Sequence, residues 1–277
     1  MQKFAIGLAY DGTDFCGWQP QKGTGKHSDS RPSIEGELVA AIQKLCGETV
    51  GLVPSGRTDA GVHASGQVAH FSLENTEIPE EENLLRGINH LLPDSIELLR
   101  LSKVEESFRA QASSRKQYSY YFLQGPSNLP HIRRYVMWNR REMDHQKMQQ
   151  AIGTIIGSHD FAGFASAGAN VSSTIREIYE AEVTIIGFTD PGFFSEDSCH
   201  HLIKIRLVGS GFLKQMVRTI AGTLKQIGEG QRPIDDIDHI LQSKDREIAG
   251  ATAPANGLWL DRVWYNDGDG NFWAKKS

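Results

Sequence analysis

A chain of 277 residues with 39 % hydrophobic and 23 % charged residues has the composition of a globular protein, long enough for one or two cores, and lies outside the disordered and fibrous ranges. No apolar run approaches a membrane span, and Met1 to Gly7 lacks the apolar stretch and cleavage site of a signal peptide, so a cytoplasmic location is expected. A net charge of −5 argues against a uniformly basic polyanion binder, but from Arg100 to Lys147 ten Lys/Arg stand against four Asp/Glu, net +6, leaving −11 for the remainder.

Lys3 to Tyr10 is rich enough in β-formers to be a first strand and ends at the turn Asp11-Gly12-Thr13. The polar stretch from Gln21 to Ser33 reads as a flexible loop. Ser33 opens a helix-capping pattern with Glu35 and Glu37, and Leu38, Ile42 and Leu45 follow at helical spacing to Gly47. Glu48 to Val53 and Gln67 to Leu73 read as strands, Pro79 to Leu92 as a helix and Ile96 to Val104 as a strand. The order is β-α-β-β-α-β.

The second half repeats it more loosely. Lys116 to Leu123, Glu177 to Ile186, His201 to Gly209 and Trp259 to Tyr265 read as strands; Met143 to Gly157 and Phe212 to Ile227 read as helices. We therefore expect an α+β protein of two ferredoxin-like halves, residues 1–107 and 108–277, with antiparallel sheets and an active-site cleft between them. The cysteines, Cys16, Cys46 and Cys199, are odd in number and far apart, which indicates neither a disulfide framework nor a zinc site. His200 and His201 are adjacent and would point to opposite faces of a strand, so no metal is expected.

The most informative stretch is Ser55 to Phe71. Its centre, Gly56-Arg57-Thr58-Asp59-Ala60-Gly61-Val62-His63-Ala64, sets a guanidinium, a carboxylate and an imidazole among residues too small to hide them. Gly56, Gly61 and Gly66 permit positive φ or close approach of other groups. Such a loop is usually a capped surface turn, yet here a strand follows at once and anchors it. Asp59 needs a partner if it is buried, and Arg218, beside the core face of the second half's helix at 212–227, is the candidate. The basic pairs Arg115-Lys116, Arg133-Arg134 and Arg140-Arg141 interleave with Tyr118, Tyr120, Tyr121, Tyr135 and Trp138, a mixture suited to a phosphate-rich, base-bearing ligand. Tyr118 and Tyr120 share a strand face; one can stack on a base, and Tyr120 reads as core.

Five stretches resemble the tRNA pseudouridine synthase A family. They are Tyr10-Asp11-Gly12-Thr13 with Gly17-Trp18-Gln19; Gly56 to Ala64 with Gly66-Gln67-Val68 and Phe71; Phe108 to Tyr120; His159-Asp160-Phe161 with Arg176; and Gly211-Phe212-Leu213 with Met216-Val217-Arg218, then Ala251 to Tyr265. They run in order along nearly the whole chain. The Gln21 to Ser33 loop looks longer than is common in that family, and Lys116-Gln117 stands where a more strongly basic pair is frequent.

The resemblance implies isomerisation of uridine to pseudouridine in the anticodon stem-loop of tRNA, with Asp59 as the essential carboxylate. It also implies that Tyr118 stacks on the target uracil, Arg218 pairs with Asp59 and Arg57 holds the displaced nucleotide, with Arg115 and Lys116 on the substrate side. A homodimer and no cofactor belong to the same expectation. The N1–C1′ bond must break, the uracil turn, and C5 bond to C1′; Asp59 could attack C1′, attack C6 or remove the 2′ proton. The rival readings are a non-catalytic RNA-binding module and a nucleoside hydrolase using Asp59 at C1′.

Overall fold

Ser33 caps the first helix as its sequence requires: its Oγ accepts from the Gly36 amide at 3.1 Å. That helix, α1, spans Ile34–Cys46, with Glu35 and Glu37 in the first turn and Lys44 in the last, each at the end the helix dipole favours. Gly47 closes it at φ 77°, the left-handed conformation a glycine adopts without a Cβ penalty. The structure is a computed structural model and describes residues 1–20, 30–74, 79–166, 171–187, 200–265 and 272–273. Most of the Gln21–Ser33 loop and Cys199 lie outside these residues.

Two compact units make up the chain: residues 1–115 with 260–277, and residues 116–259. Among the described residues there are five α-helices and mostly antiparallel strand pairing, a mixed α+β architecture. None of these helices is long and apolar enough to cross a membrane.

In the first unit the central strand is β1, Gln2–Tyr10. The next strands are β2, Val53–Pro54, and β3, His63–Leu73. Helix α2, Glu81–Leu91, and strand β4, Ile96–Val104, complete the expected β-α-β-β-α-β order. β1 pairs antiparallel with β3 on one side and β4 on the other, and β2 pairs antiparallel with β3 at His70 and Ala69. α1 and α2 pack against each other, and α2 packs on β4. β1 is buried on both faces, with Phe4, Ala5, Ile6 and Leu8 at 3 % exposure or less; its Gly7 lies against the rings of Phe272 and Trp273.

Two readings of this unit change. The strand expected over Glu48 to Val53 is reduced to Val53–Pro54, paired with His70 and Ala69; Gly51, inside the expected run, has no side chain to pack and weakens a strand. β3 starts at His63, four residues earlier than the periodicity predicts.

In the second unit β5, Arg115–Gln124, enters from the first unit at Arg115. Strand β6, Met137–Asn139, and helix α3, His145–Ile152, follow. Then come β7, Gly157–Asp160, β8, Ile175–Gly187, and β9, His201–Gly209. The antiparallel order is β5-β9-β8-β7, and β6 joins β5 in parallel. Helix α4, Met216–Gly228, and helix α5, Asp236–Ser243, precede β10, Leu258–Trp264, which begins in the second unit and ends in the first. α3 packs between β8 and α4.

The helix predicted from Met143 to Gly157 ends at Ile152 and passes through a 3₁₀ turn into β7, where Gly157 takes φ 106°. The helix predicted from Phe212 starts at Met216 because Gln215 holds a left-handed φ of 63°. β6, β7 and α5 break the simple repeat expected of this half.

Candidate active site

Asp59 owes its position to residues distant in sequence. The loop leaves β2 with the Ser55 amide bonded to the Val68 carbonyl at 2.7 Å. The segment after the first turn then runs beside it: Gly17 bridges Asp59 antiparallel, and the Trp18 amide donates to Thr58 O at 3.0 Å. Gly17 sits at φ 110°, and a Cβ there would stand 2.7 Å from Thr58 O, so only glycine lets the two segments approach this closely. Gly66 is equally constrained, since an added Cβ would run into the Asp261 carbonyl.

Four buried polar side chains fix this backbone. Thr58 Oγ1 and the Tyr10 hydroxyl are 2.8 Å apart, and Gln67 Nε2 donates to Gly56 O at 2.9 Å and to the Tyr10 oxygen at 3.5 Å. Ser55 Oγ donates to Gln67 Oε1 at 2.7 Å, and the Val68 amide donates to the same oxygen at 3.1 Å. Burial pushes the Tyr10 hydroxyl up to about 12, so it stays protonated and available as a donor. Thr58 thus points inward while its neighbours Arg57 and Asp59 face outward, Arg57 exposed and Asp59 half-buried. Alternation along an extended segment gives that division.

Glu35, in the first turn of α1, faces the same loop. Burial raises its carboxyl above the usual range, and a hydrogen bond from Gln19 and the Arg57 charge pull it back. Sequence reasoning named Arg57 but gave no site role to Glu35, Tyr10 or Gln67, whose partners lie from 11 to 57 residues away. His63 is fully buried, and the Gly12 amide donates to its Nδ1 at 3.1 Å. An amide only donates, so Nδ1 accepts and the ring proton sits on Nε2. Asp11 Oδ1 also lies 3.2 Å from Nδ1, but it is occupied by the amide and hydroxyl of Thr13. His63 therefore fixes the 11–13 turn.

The second unit carries the remaining candidates. Tyr118 stands opposite Leu207 on β9, is 8 % exposed, and meets the Phe212 ring edge-on at 5.1 Å. Tyr120, two residues on, is fully buried and donates its hydroxyl to Pro254 O at 2.8 Å; it is a core residue. Burial raises its phenol, and the nearby Arg218 charge opposes the rise. Arg218 lies in the first turn of α4, where a cation opposes the helix dipole, and its Nε donates to Ala253 O at 2.8 Å.

Lys116 is half-buried opposite Gly209, and burial together with the Arg176 charge lowers it to about 8. Arg176 is anchored by Nη1 bonds to Ser173 O and Ile175 O at 2.9 and 2.6 Å. Two cations held close in a partly buried place form a setting that an anion stabilises. Arg115 is exposed at the end of the first unit's main segment. The structure thus groups Arg57 with Asp59 in the first unit, and Lys116, Tyr118 and Arg218 in the second.

These residues fall within stretches shared with known enzymes. The sequence model of a family described as tRNA pseudouridine synthase matches residues 151–266, which include Arg176 and Arg218. Named relatives extend the likeness to the Asp59 loop. A tRNA pseudouridine synthase A of Ruminiclostridium cellulolyticum is 39 % identical over 266 residues, 96 % of this chain and all of that protein. The Anoxybacillus flavithermus protein of the same name is 39 % identical over 269 residues, again 96 % of this chain and all of the relative. That of Maridesulfovibrio salexigens is 38 % identical over 269 residues, 92 % of its length. The chain belongs to the tRNA pseudouridine synthase A family.

Proposed function

We infer that this chain is an isomerase that converts uridine to pseudouridine in the anticodon stem-loop of tRNA, with Asp59 as the reacting carboxylate. The observation that carries the reading is family membership along the whole chain together with an outward-facing Asp59 on a loop fixed by buried side chains. A carboxylate that must meet one sugar atom gains from such a support, because positioning lowers the barrier only if the group is already in place.

The target uridine leaves the stack, at a cost of a few kcal/mol that the protein replaces with stacking and hydrogen bonds. In this reading Arg57 holds the displaced nucleotide, Tyr118 stacks on its uracil, and Arg115 and Lys116 take phosphate. Arg218 pairs with Asp59 and keeps it ionised; an anionic partner also offsets the unfavourable place of Arg218 at the start of α4. Asp59 then acts at C1′, at C6 or on the 2′ proton, and the detached uracil turns so that C5 bonds to C1′. The Tyr118 hydroxyl accepts or relays the C5 proton. No cofactor is required by any of these routes.

The working halves are residues 1–107, with the Asp59 loop, and 108–277, with Tyr118 and Arg218. In this proposal the first half is of ferredoxin-like type, and the chain works as a cytoplasmic homodimer. In the first unit β1 lies between β4 and β3, antiparallel to both, and β2 pairs antiparallel with β3, which also neighbours β10; the β4-β1-β3-β2 pairing supports that description.

The test is to incubate the chain with unmodified tRNA and assay pseudouridine and free uracil together. Pseudouridine without uracil is the expected result. Released uracil would make the chain a hydrolase, and binding with neither product would make it an RNA-binding module.

A further inference from the structure

Residues 125–141 hold four arginines and no Asp or Glu in a chain whose net charge is −5. Arg133, Arg134, Arg140 and Arg141 are all exposed, and between them Trp138 is 36 % exposed, with its Nε1 donating to Gly125 O at 3.0 Å. The indole is therefore fixed at its polar edge in a residue partly open to solvent.

The segment is not a loose loop. Asn256 Nδ2 donates to Arg133 O and Val136 O at 3.0 and 2.7 Å, and Trp259 Nε1 donates to Tyr135 O at 3.1 Å. The Tyr135 and Trp259 rings pack at 5.8 Å, and the Arg133 and Tyr135 amides close turns onto Leu129 O and Ile132 O. Three carbonyls in four residues are thus tied to the 256–259 segment, and the arginines start from a prearranged backbone, which reduces the ordering cost of binding.

Trp138 lies away from the strand end where Tyr118 stands. Trp138 pairs with Leu123 on β5, five residues along the strand from Tyr118, which is about 17 Å at roughly 3.3 Å per residue. A ligand that reaches both is a polymer. Arginine guanidinium groups beside an exposed tryptophan match sugar-phosphate and unstacked bases.

We propose that the surface of Arg133, Arg134, Arg140, Arg141 and Trp138 is a second RNA contact, gripping the tRNA outside the segment that carries the reacting uridine. This rests on the tRNA isomerase reading above. Arg141 lies 3.9 Å from Glu229, so the test uses Arg133 and Arg140.

The experiment compares wild type with R133E/R140E for binding of a full-length tRNA transcript and of an isolated anticodon stem-loop between 50 and 200 mM salt, with pseudouridine formation assayed on both. We expect the affinity for full-length tRNA to fall by about tenfold or more and its log–log salt slope to lose about two units. Stem-loop affinity and kcat at saturating RNA should hold, and R133K/R140K should restore the wild-type slope. If the charge reversal harms folding, R133Q/R140Q reads the same comparison with a smaller shift. Unchanged tRNA affinity, or an equal loss on the stem-loop, would overturn the proposal. So would a change in sedimenting mass, which would make this face a protein interface. Absence of pseudouridine with wild type defeats the isomerase reading instead, and the binding comparison still reads the surface.

Discussion

Asp59 and Tyr118 are held by different means. The Asp59 loop is fixed by hydrogen bonds among Tyr10, Ser55, Thr58 and Gln67. Tyr118 is fixed by strand register and by the Phe212 ring. A buried polar network fails steeply, because each lost partner leaves another group unsatisfied. Ring packing fails gradually, since neighbouring apolar groups can relax into part of the space. The first unit therefore concentrates its sensitivity in a few polar atoms, and the second spreads it.

Substitutions can separate positioning from chemistry in this contrast. The largest effect is expected from Asp59→Asn: an amide neither attacks nor takes a proton at neutral pH, so turnover should fall on the order of 10³-fold or more. Its unfolding midpoint should stay close to wild type, because Asp59 is only half-buried and Asn keeps nearly its shape. Wild-type turnover in Asp59→Asn would remove the catalytic assignment. Tyr118→Phe keeps the ring and removes the hydroxyl. A proton-relay role predicts a loss of roughly 10²-fold or more in kcat with tRNA affinity preserved, and single-turnover kinetics at saturating tRNA would show it; an unchanged kcat leaves Tyr118 as a stacking residue alone.

Gln67→Leu tests the support itself. It strips acceptors from Ser55 Oγ and the Val68 amide and a donor from Gly56 O, so stability should drop by about 1–3 kcal/mol in urea unfolding. Activity should drop with it while tRNA affinity changes little. A variant as stable and active as wild type would show that the network does not hold the loop.

The smallest effect concerns Lys116, which titrates near pH 8 in the folded chain against an ordinary 10.5. Between those values the unfolded chain holds more protons, so this side chain makes stability rise with pH from about 8 to 10.5 and is a cost below 8. Lys116→Met should be the more stable protein at pH 7, with the gap closing toward pH 10.5. Urea midpoints over that range would check it, and a gap independent of pH would contradict it.

Several features were legible in the residues. Ser33, the acidic first turn and Gly47 defined α1 almost to the residue, because caps are local hydrogen bonds. β4 and β9 matched their expected bounds for a similar reason, each being a β-rich run with clear ends. α5 was missed although Ile237, Ile240 and Leu241 carry a helical period; its eight residues are too few to stand out. β6 and β7, three and four residues long, exist through their partners and have no period of their own. The end of α3 and the start of α4 were misplaced because apolar spacing runs on through the 3₁₀ turn Gly153–Ile155 and through the left-handed Gln215, where the α-helices stop and start.

The Asp59 loop shows both sides of this division. Sequence alone determined that Arg57, Thr58 and Asp59 sit in a glycine-rich turn ahead of a strand, and which chemistry they resemble. The turn follows from residue type and local backbone freedom, and the chemistry from the resemblance to a known family. The tertiary structure decided which of them faces out. Gly17 gives up its Cβ space to Thr58, and Tyr10 and Gln67 reach across from other strands to hold the turn. Contacts between residues 11 to 48 positions apart leave no periodic trace in the chain, and only folding brings their hydrogen-bonding groups within reach.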